Sequence, residues 1–190
     1  QMFQVSLEER DQVLKPLAQS GNEAVGSMGD DTPMAVLSSR ERSLYDYFRQ
    51  KFAQVTNPPI DPLREAIVMS LEVDLGGEAN LFEETEAHAR RTSLTSPVLS
   101  QGKFESILAL QESDLRVQII DATYDPGDID LKTALTNLCL EAAAHVVGGS
   151  NVLVVSDRAF GETRLPIHSL LATGAIHHHL IEHGLRADSN

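Results

Sequence analysis

Residues 117–155 read VQIIDATYDPGDIDLKTALTNLCLEAAAHVVGGSNVLVV, and their order decides the fold class. Residues 117–120 make a short apolar strand, and residues 131–147 a long helix stopped by Gly148 and Gly149. Residues 152–155 then make a fully apolar strand. Further out, residues 170–183 form another helix that ends at Gly184. Strand, helix, apolar strand, helix is the pattern of βαβ units on a parallel sheet, with right-handed crossovers. The expected fold is therefore α/β: an incomplete barrel-like or open βα sheet in the C-terminal half, with a helical N-terminal part. The sequence stops shortly after Gly184, where a further strand is due, and it opens on Gln1 rather than Met. On both counts it reads as a piece of something longer.

Upstream, Ser6 and Glu9 form a capping box for a helix over residues 7–19 that Gly21 ends, with Val13, Leu14 and Leu17 on its apolar face. Residues 21–32 are glycine-rich and irregular, and residues 34–37 are a short apolar run that fits a strand. Ser38 and Glu41 make a second capping box. Leu44, Phe48, Phe52 and Val55 then fall on one face of the helix that follows. Asn57 stands before Pro58, which disfavours the α region and ends that helix. Asp61 and Pro62 supply the N-cap and first position of the next helix, through residue 71. Residues 76–97 are polar loop with short elements. Residues 103–111 are helical, with Phe104, Ile107 and Leu108 on one side. The expected organisation is one domain over 1–190: a mainly helical segment 1–75, an irregular connection 76–115, and βαβα units over 116–190.

Composition limits the function classes. The chain has 190 residues, enough for a real core, and a net charge of −13. Nucleic acid and anionic membranes need clustered Lys and Arg, so neither is an expected partner. A single cysteine, Cys139, excludes an internal disulfide and cannot supply the ligands of an iron–sulfur cluster. No apolar run reaches the roughly 18 residues of a membrane span, and no signal peptide is visible, so the cytoplasm is the expected compartment.

Several constellations invite a chemical reading. His179-Leu180-Ile181-Glu182-His183 matches the H-x-x-E-H pattern, in which two histidines on one helix face bind zinc beside a glutamate base. On that reading the chain is a small zinc metallopeptidase using His179, Glu182 and His183. The bland alternative is a helix end carrying histidines that suit its dipole. His177, His178 and His179 are about 100° apart around a helix and cannot converge on one ion, so one partly buried histidine beside exposed ones is expected. Cys139 sits between Leu138 and Leu140 as a buried small hydrophobe. Asp157 and Arg158 follow the apolar strand, where α/β sheets place ligands, or they merely cap it. Gly26-Ser27-Met28-Gly29 has too few glycines for a phosphate cradle.

One further stretch carries a family resemblance. Gly29-Asp30-Asp31-Thr32-Pro33, Tyr45-Asp46-Tyr47-Phe48-Arg49-Gln50 and the run Phe52-Ala53-Gln54-Val55-Thr56-Asn57-Pro58-Pro59-Ile60-Asp61-Pro62-Leu63-Arg64-Glu65 are its specific blocks. Asn80-Leu81-Phe82, Ser96-Pro97-Val98-Leu99, Ser156-Asp157-Arg158 and Gly174-Ala175-Ile176-His177-His178-His179-Leu180 extend it over nearly the whole chain. With these the chain resembles the central domain of the glutamate synthase (GOGAT) large subunit, the bacterial NADPH type above all. The histidine triplet is then family sequence.

The resemblance implies a function for the parent protein. Such enzymes convert glutamine, 2-oxoglutarate and a reductant into two glutamates, with ammonia passing through an internal tunnel. The central domain links the amidotransferase and FMN-binding domains, forms part of the tunnel wall and performs no catalysis of its own. FMN and a 3Fe–4S cluster belong to the parent subunit outside this stretch. FAD and further Fe–S clusters belong to a small reductase subunit in NADPH-type enzymes. The tunnel-lining candidates are Asp30, Asp31, Thr32, Thr56 and Asn57; their alternative role is to cap and brace helices.

Overall fold

The computed structural model describes residues 7–21, 35–42, 44–48, 61–78, 80–110 and 115–190. The chain divides into two compact units, residues 1–60 and 61–190.

In the first unit, the helix expected over residues 7–19 forms but is not α throughout. It is α-helical over Leu7–Glu9 (α1), π-helical over Arg10–Leu14 and α-helical again over Lys15–Ser20 (α2). Pro16 accounts for the change. It has no N–H to give and crowds the carbonyl four residues back, and a wider π turn just ahead of it accommodates both. Gly21, at φ 64°, closes the helix with its amide on the Leu17 carbonyl at 3.1 Å.

Of the strand expected over 34–37, the described residues 35–37 form a turn instead. Val36 and Leu37 make a turn closed by the Ser38 amide on the Ala35 carbonyl at 3.0 Å. The Ser38 hydroxyl accepts from the Arg40 amide two residues on, at 3.2 Å, which is a local turn and not a helix cap. Among the described residues that follow, Leu44–Tyr47 form a 3-10 turn. Phe52, Val55 and the Thr56–Pro59 elbow lie outside the described residues.

The second unit opens as its sequence dictates. The Asp61 carboxylate accepts from the Leu63 and Arg64 amides, each at 3.0 Å, with Pro62 at the first position of α3 (Pro62–Val68). The helix ends at Val68 rather than at 71. β1 (Val73–Leu75) pairs antiparallel with β2 (Thr92–Leu94), and a 3-10 turn, Glu86–Ala89, lies between them. In α4 (Gln101–Ala109) the Ser100 hydroxyl caps the Lys103 amide. Its inner side is Ile107, buried, with Phe104 and Leu108 half-buried.

The C-terminal half follows the expected order. β3 (Val117–Asp121) leads through the two-residue strand β4 (Thr123–Tyr124) into α5 (Leu131–Val147). β5 (Val152–Ser156), the two-residue β6 (Leu165–Pro166) and α6 (Ser169–Glu182) complete it. β3 and β5 run parallel, with Val117 opposite Val152 and Asp121 opposite Ser156. β4 pairs antiparallel with β6, and no set of described strands closes into a barrel.

Helical periodicity builds the core. Ala134, Leu138, Ala142 and Val146 recur every four residues on α5, and Ala172, Ile176 and Leu180 do so on α6. These stripes meet each other and Ile120 in one apolar cluster. The alanines, at 0% exposure for Ala142 and Ala172, let the two helices approach closely.

After α6 the chain returns to the sheet. The Asn190 amide donates to the Asn151 carbonyl at 3.0 Å and its carbonyl accepts from Leu153 at 2.9 Å, a one-residue parallel pairing that flanks Val152. The same segment is tied to the end of β1. The Gly76 amide donates to the Asn190 side chain at 2.6 Å, and the Glu78 amide to the Ala187 carbonyl at 2.7 Å.

Candidate functional site

The tunnel-lining candidates Asp30, Asp31, Thr32, Thr56 and Asn57 lie outside the described residues. The polar site that the structure builds is at the carboxyl end of β3. A cleft of about 380 Å³ opens there, with Asp121, Thr123, Asp125, Asn137, Glu141 and Arg164 on its walls.

Arg164 organises this cleft. Its Nη2 lies 2.7 Å from Asp121 Oδ2 and 3.3 Å from the Thr123 carbonyl, and its Nε donates to Thr123 Oγ1 at 2.9 Å. The Thr123 hydroxyl in turn donates to Asp121 Oδ1 at 2.8 Å, as does the Thr123 amide at 3.0 Å. Thr123 is buried and fully engaged, so the network ties β3, β4 and the approach to β6 together. The remaining wall is acidic: Asp125, Asp128 and Glu141 face the cleft, and the one cation there, Arg164, already has its carboxylate. The site therefore has no activated nucleophile and no uncommitted cation for an anionic substrate.

Asp121 stands where an apolar strand ends, a position at which α/β folds carry polar sites. Arg164 gave no such signal, because it meets Asp121 across 43 residues of sequence. Asp157 and Arg158 make separate contacts and do not form the local ion pair of the capping alternative. The Asp157 carbonyl accepts from the Phe160 amide at 3.2 Å. Arg158 reaches α4, 3.3 Å from Gln101 Oε1 and 5.4 Å from the Phe104 ring centroid.

The histidine run behaves as its helical spacing dictates. His179 is half-buried, while His177 and His178 are exposed. His177 Nδ1 accepts from Arg186 Nε at 3.0 Å, whereas His179 turns to the other side beside Glu182 and His183. His168 has a role that the sequence did not reveal: its Nδ1 accepts from the Leu170 amide at 3.2 Å, capping α6 one residue before the expected start.

Two features of the described residues are poor partners for the redox groups of the resemblance. Cys139, the one cysteine, is 8% exposed in the α5 core, and burial pushes its thiol pKa up, away from the thiolate that a cluster needs. The turn from β4 into α5 carries Asp125, Asp128 and Asp130, carboxylates that repel a flavin phosphate. Among the described residues, no helix is long and apolar enough to cross a membrane.

Comparison with known proteins gives a consistent answer. Residues 1–190 match the family described as glutamate synthase central domain. The chain is 46% identical over 195 residues to the chloroplastic ferredoxin-dependent glutamate synthase of Oryza sativa subsp. japonica, covering 100% of this chain and 12% of that protein. It is 44% identical over 188 residues to the glutamate synthase [NADPH] large chain of Azospirillum brasilense, covering 98% and 12%. To the glutamate synthase [NADH] of Schizosaccharomyces pombe it is 41% identical over 189 residues, covering 97% and 9%. The chain thus spans about 12% of the length of the first two relatives. These matches displace the peptidase reading of His179, Glu182 and His183: the three relatives named are all glutamate synthases, and these residues lie inside the matched sequence. Matched along all 190 residues, the chain belongs to the glutamate synthase central domain family.

Proposed function

We propose that this chain is the connecting domain of a bacterial-type glutamate synthase large subunit, whose parent converts glutamine, 2-oxoglutarate and a reductant into two glutamates. The domain joins the amidotransferase and FMN-binding domains of the same chain, forms part of the ammonia tunnel and catalyses nothing by itself. The observation that carries this reading is the match of the entire chain to the central-domain family, within relatives about eight times longer. The committed Asp121–Thr123–Arg164 network and the buried Cys139 agree with a bracing role.

FMN and a 3Fe–4S cluster are assigned to other parts of the parent subunit. In an NADPH-type enzyme, FAD and further Fe–S clusters are assigned to a small reductase partner. The proposed compartment is the cytoplasm. Asp30, Asp31, Thr32, Thr56 and Asn57 are proposed to face the tunnel, because a rigid Thr-Asn-Pro-Pro elbow with a few polar groups suits a wall that guides ammonia.

The test uses an intact glutamate synthase carrying this domain. Asn57→Ala should raise the glutamine hydrolysed per glutamate formed and release free ammonia. Unchanged coupling would remove Asn57 from the tunnel. The 190-residue chain alone should show neither glutaminase nor synthase activity, and turnover by it would overturn the connecting role.

A further inference from the structure

We propose that the last turn of α6 is a surface chelate for a borderline transition-metal dication, Zn(II) in the first instance, held by His179, Glu182 and His183. The site is separate from the connecting role and involves no hydrolysis. Its motivation is convergence: one ligand atom from each of the three side chains lies within 4.8 Å of the other two. Imidazole nitrogen and carboxylate oxygen are the ligands such a cation takes, at about 2.0–2.2 Å, so a modest rotamer adjustment closes three donors around one ion. Water completes a tetrahedral shell.

The tautomer is also prepared. His183 Nδ1 lies 2.8 Å from the His179 backbone carbonyl, and a carbonyl only accepts, so Nδ1 carries the proton. That leaves the Nε2 lone pair of His183 free for a metal, the arrangement in which ligating histidines donate their other N–H to a backbone carbonyl. The two rings already stand together, with centroids 4.2 Å apart and planes inclined by 37°. Helical spacing explains why these residues meet: positions i, i+3 and i+4 share one face. His178 is outside the converging group, its ring edge-on to His177, and His177 is held by Arg186. The net charge of −13 concentrates dications near the surface, and His183 and Glu182 are exposed enough for direct entry.

Calorimetric titration of the 190-residue chain with Zn(II) tests the site. One Zn(II) per chain is expected, weakened roughly tenfold or more by His179→Gln or His183→Gln. Glu182→Gln should also weaken it, and His178→Gln should leave it unchanged. All four substitutions sit at partly or fully exposed positions, and circular dichroism checks that each variant keeps its helix content. Absence of stoichiometric binding would overturn the proposal. So would binding that survives His179→Gln/His183→Gln or disappears in His178→Gln.

Discussion

Gly77 lies against the backbone of Asp188 so closely that a Cβ built on it would stand 2.9 Å from the Asp188 carbonyl oxygen. The neighbour is backbone, held by the Glu78–Ala187 hydrogen bond, and cannot move aside as a flexible side chain would. Gly77→Ala should therefore destabilise the chain by about 1–3 kcal/mol. Gly102, near the start of α4, has nothing within 4 Å of its built Cβ. Gly102→Ala should instead stabilise by up to about 1 kcal/mol through helix propensity. Urea midpoints of the two variants should move in opposite directions, and equal shifts would contradict this account of the contact.

The Arg164–Asp121 pair is 44% exposed on both side chains, so its electrostatic worth is small, about 0–1 kcal/mol. Arg164→Met also removes the donor to Thr123 Oγ1, and a total loss of about 1–2 kcal/mol is expected. A double-mutant cycle with Asp121→Asn should give a coupling below about 1 kcal/mol, and a larger value would mean that the pair is less screened than its exposure implies.

Asp130 caps α5, and its hydrogen bonds to Thr133 hold the carboxyl pKa below the ordinary value. A depressed folded-state pKa contributes stability that is present above the unfolded carboxylate value and lost as pH falls through the folded one. Asp130→Ala should consequently be less stable than the parent chain at pH 7. The gap should begin to narrow below about pH 4, where the unfolded chain's carboxylate protonates, and close as pH falls through the lower folded value. Denaturant midpoints at pH 7 and pH 3 check it, and a gap constant with pH would refute the linkage.

Cys139 should be unreactive in the folded chain. Its thiol is buried, and burial raises its pKa, so little thiolate is available. Titration with a thiol-specific disulfide reagent should be slow in buffer and immediate in concentrated denaturant. Rapid labelling of the native chain would place the thiol at the surface.

The C-terminal half was legible because its signals are local. Apolar runs at 117–120 and 152–155, and i, i+4 stripes on the intervening helix, require no partner to be recognised; α5 occupies Leu131–Val147, as its pattern dictates. Asp61 with Pro62 is equally self-contained. Other features escaped because their cause is distant or cumulative. β4 and β6 are two residues each, too short for any period, and exist through pairing across the chain. The His168 cap uses an imidazole where cap residues are ordinarily hydroxyl, amide or carboxylate. The π turn before Pro16 arises from a clash that an apolar pattern does not report.

The sequence by itself determined the α/β order, the helix-facing core of α5 and α6, the isolation of the cysteine and the family. All of these follow from spacing, residue chemistry or motif. Only the tertiary structure decided that Arg164 answers Asp121 and that Gly77 must lack a side chain. Such relationships depend on distances between groups far apart in the chain or on the rotamers of neighbours, and a one-dimensional pattern contains neither.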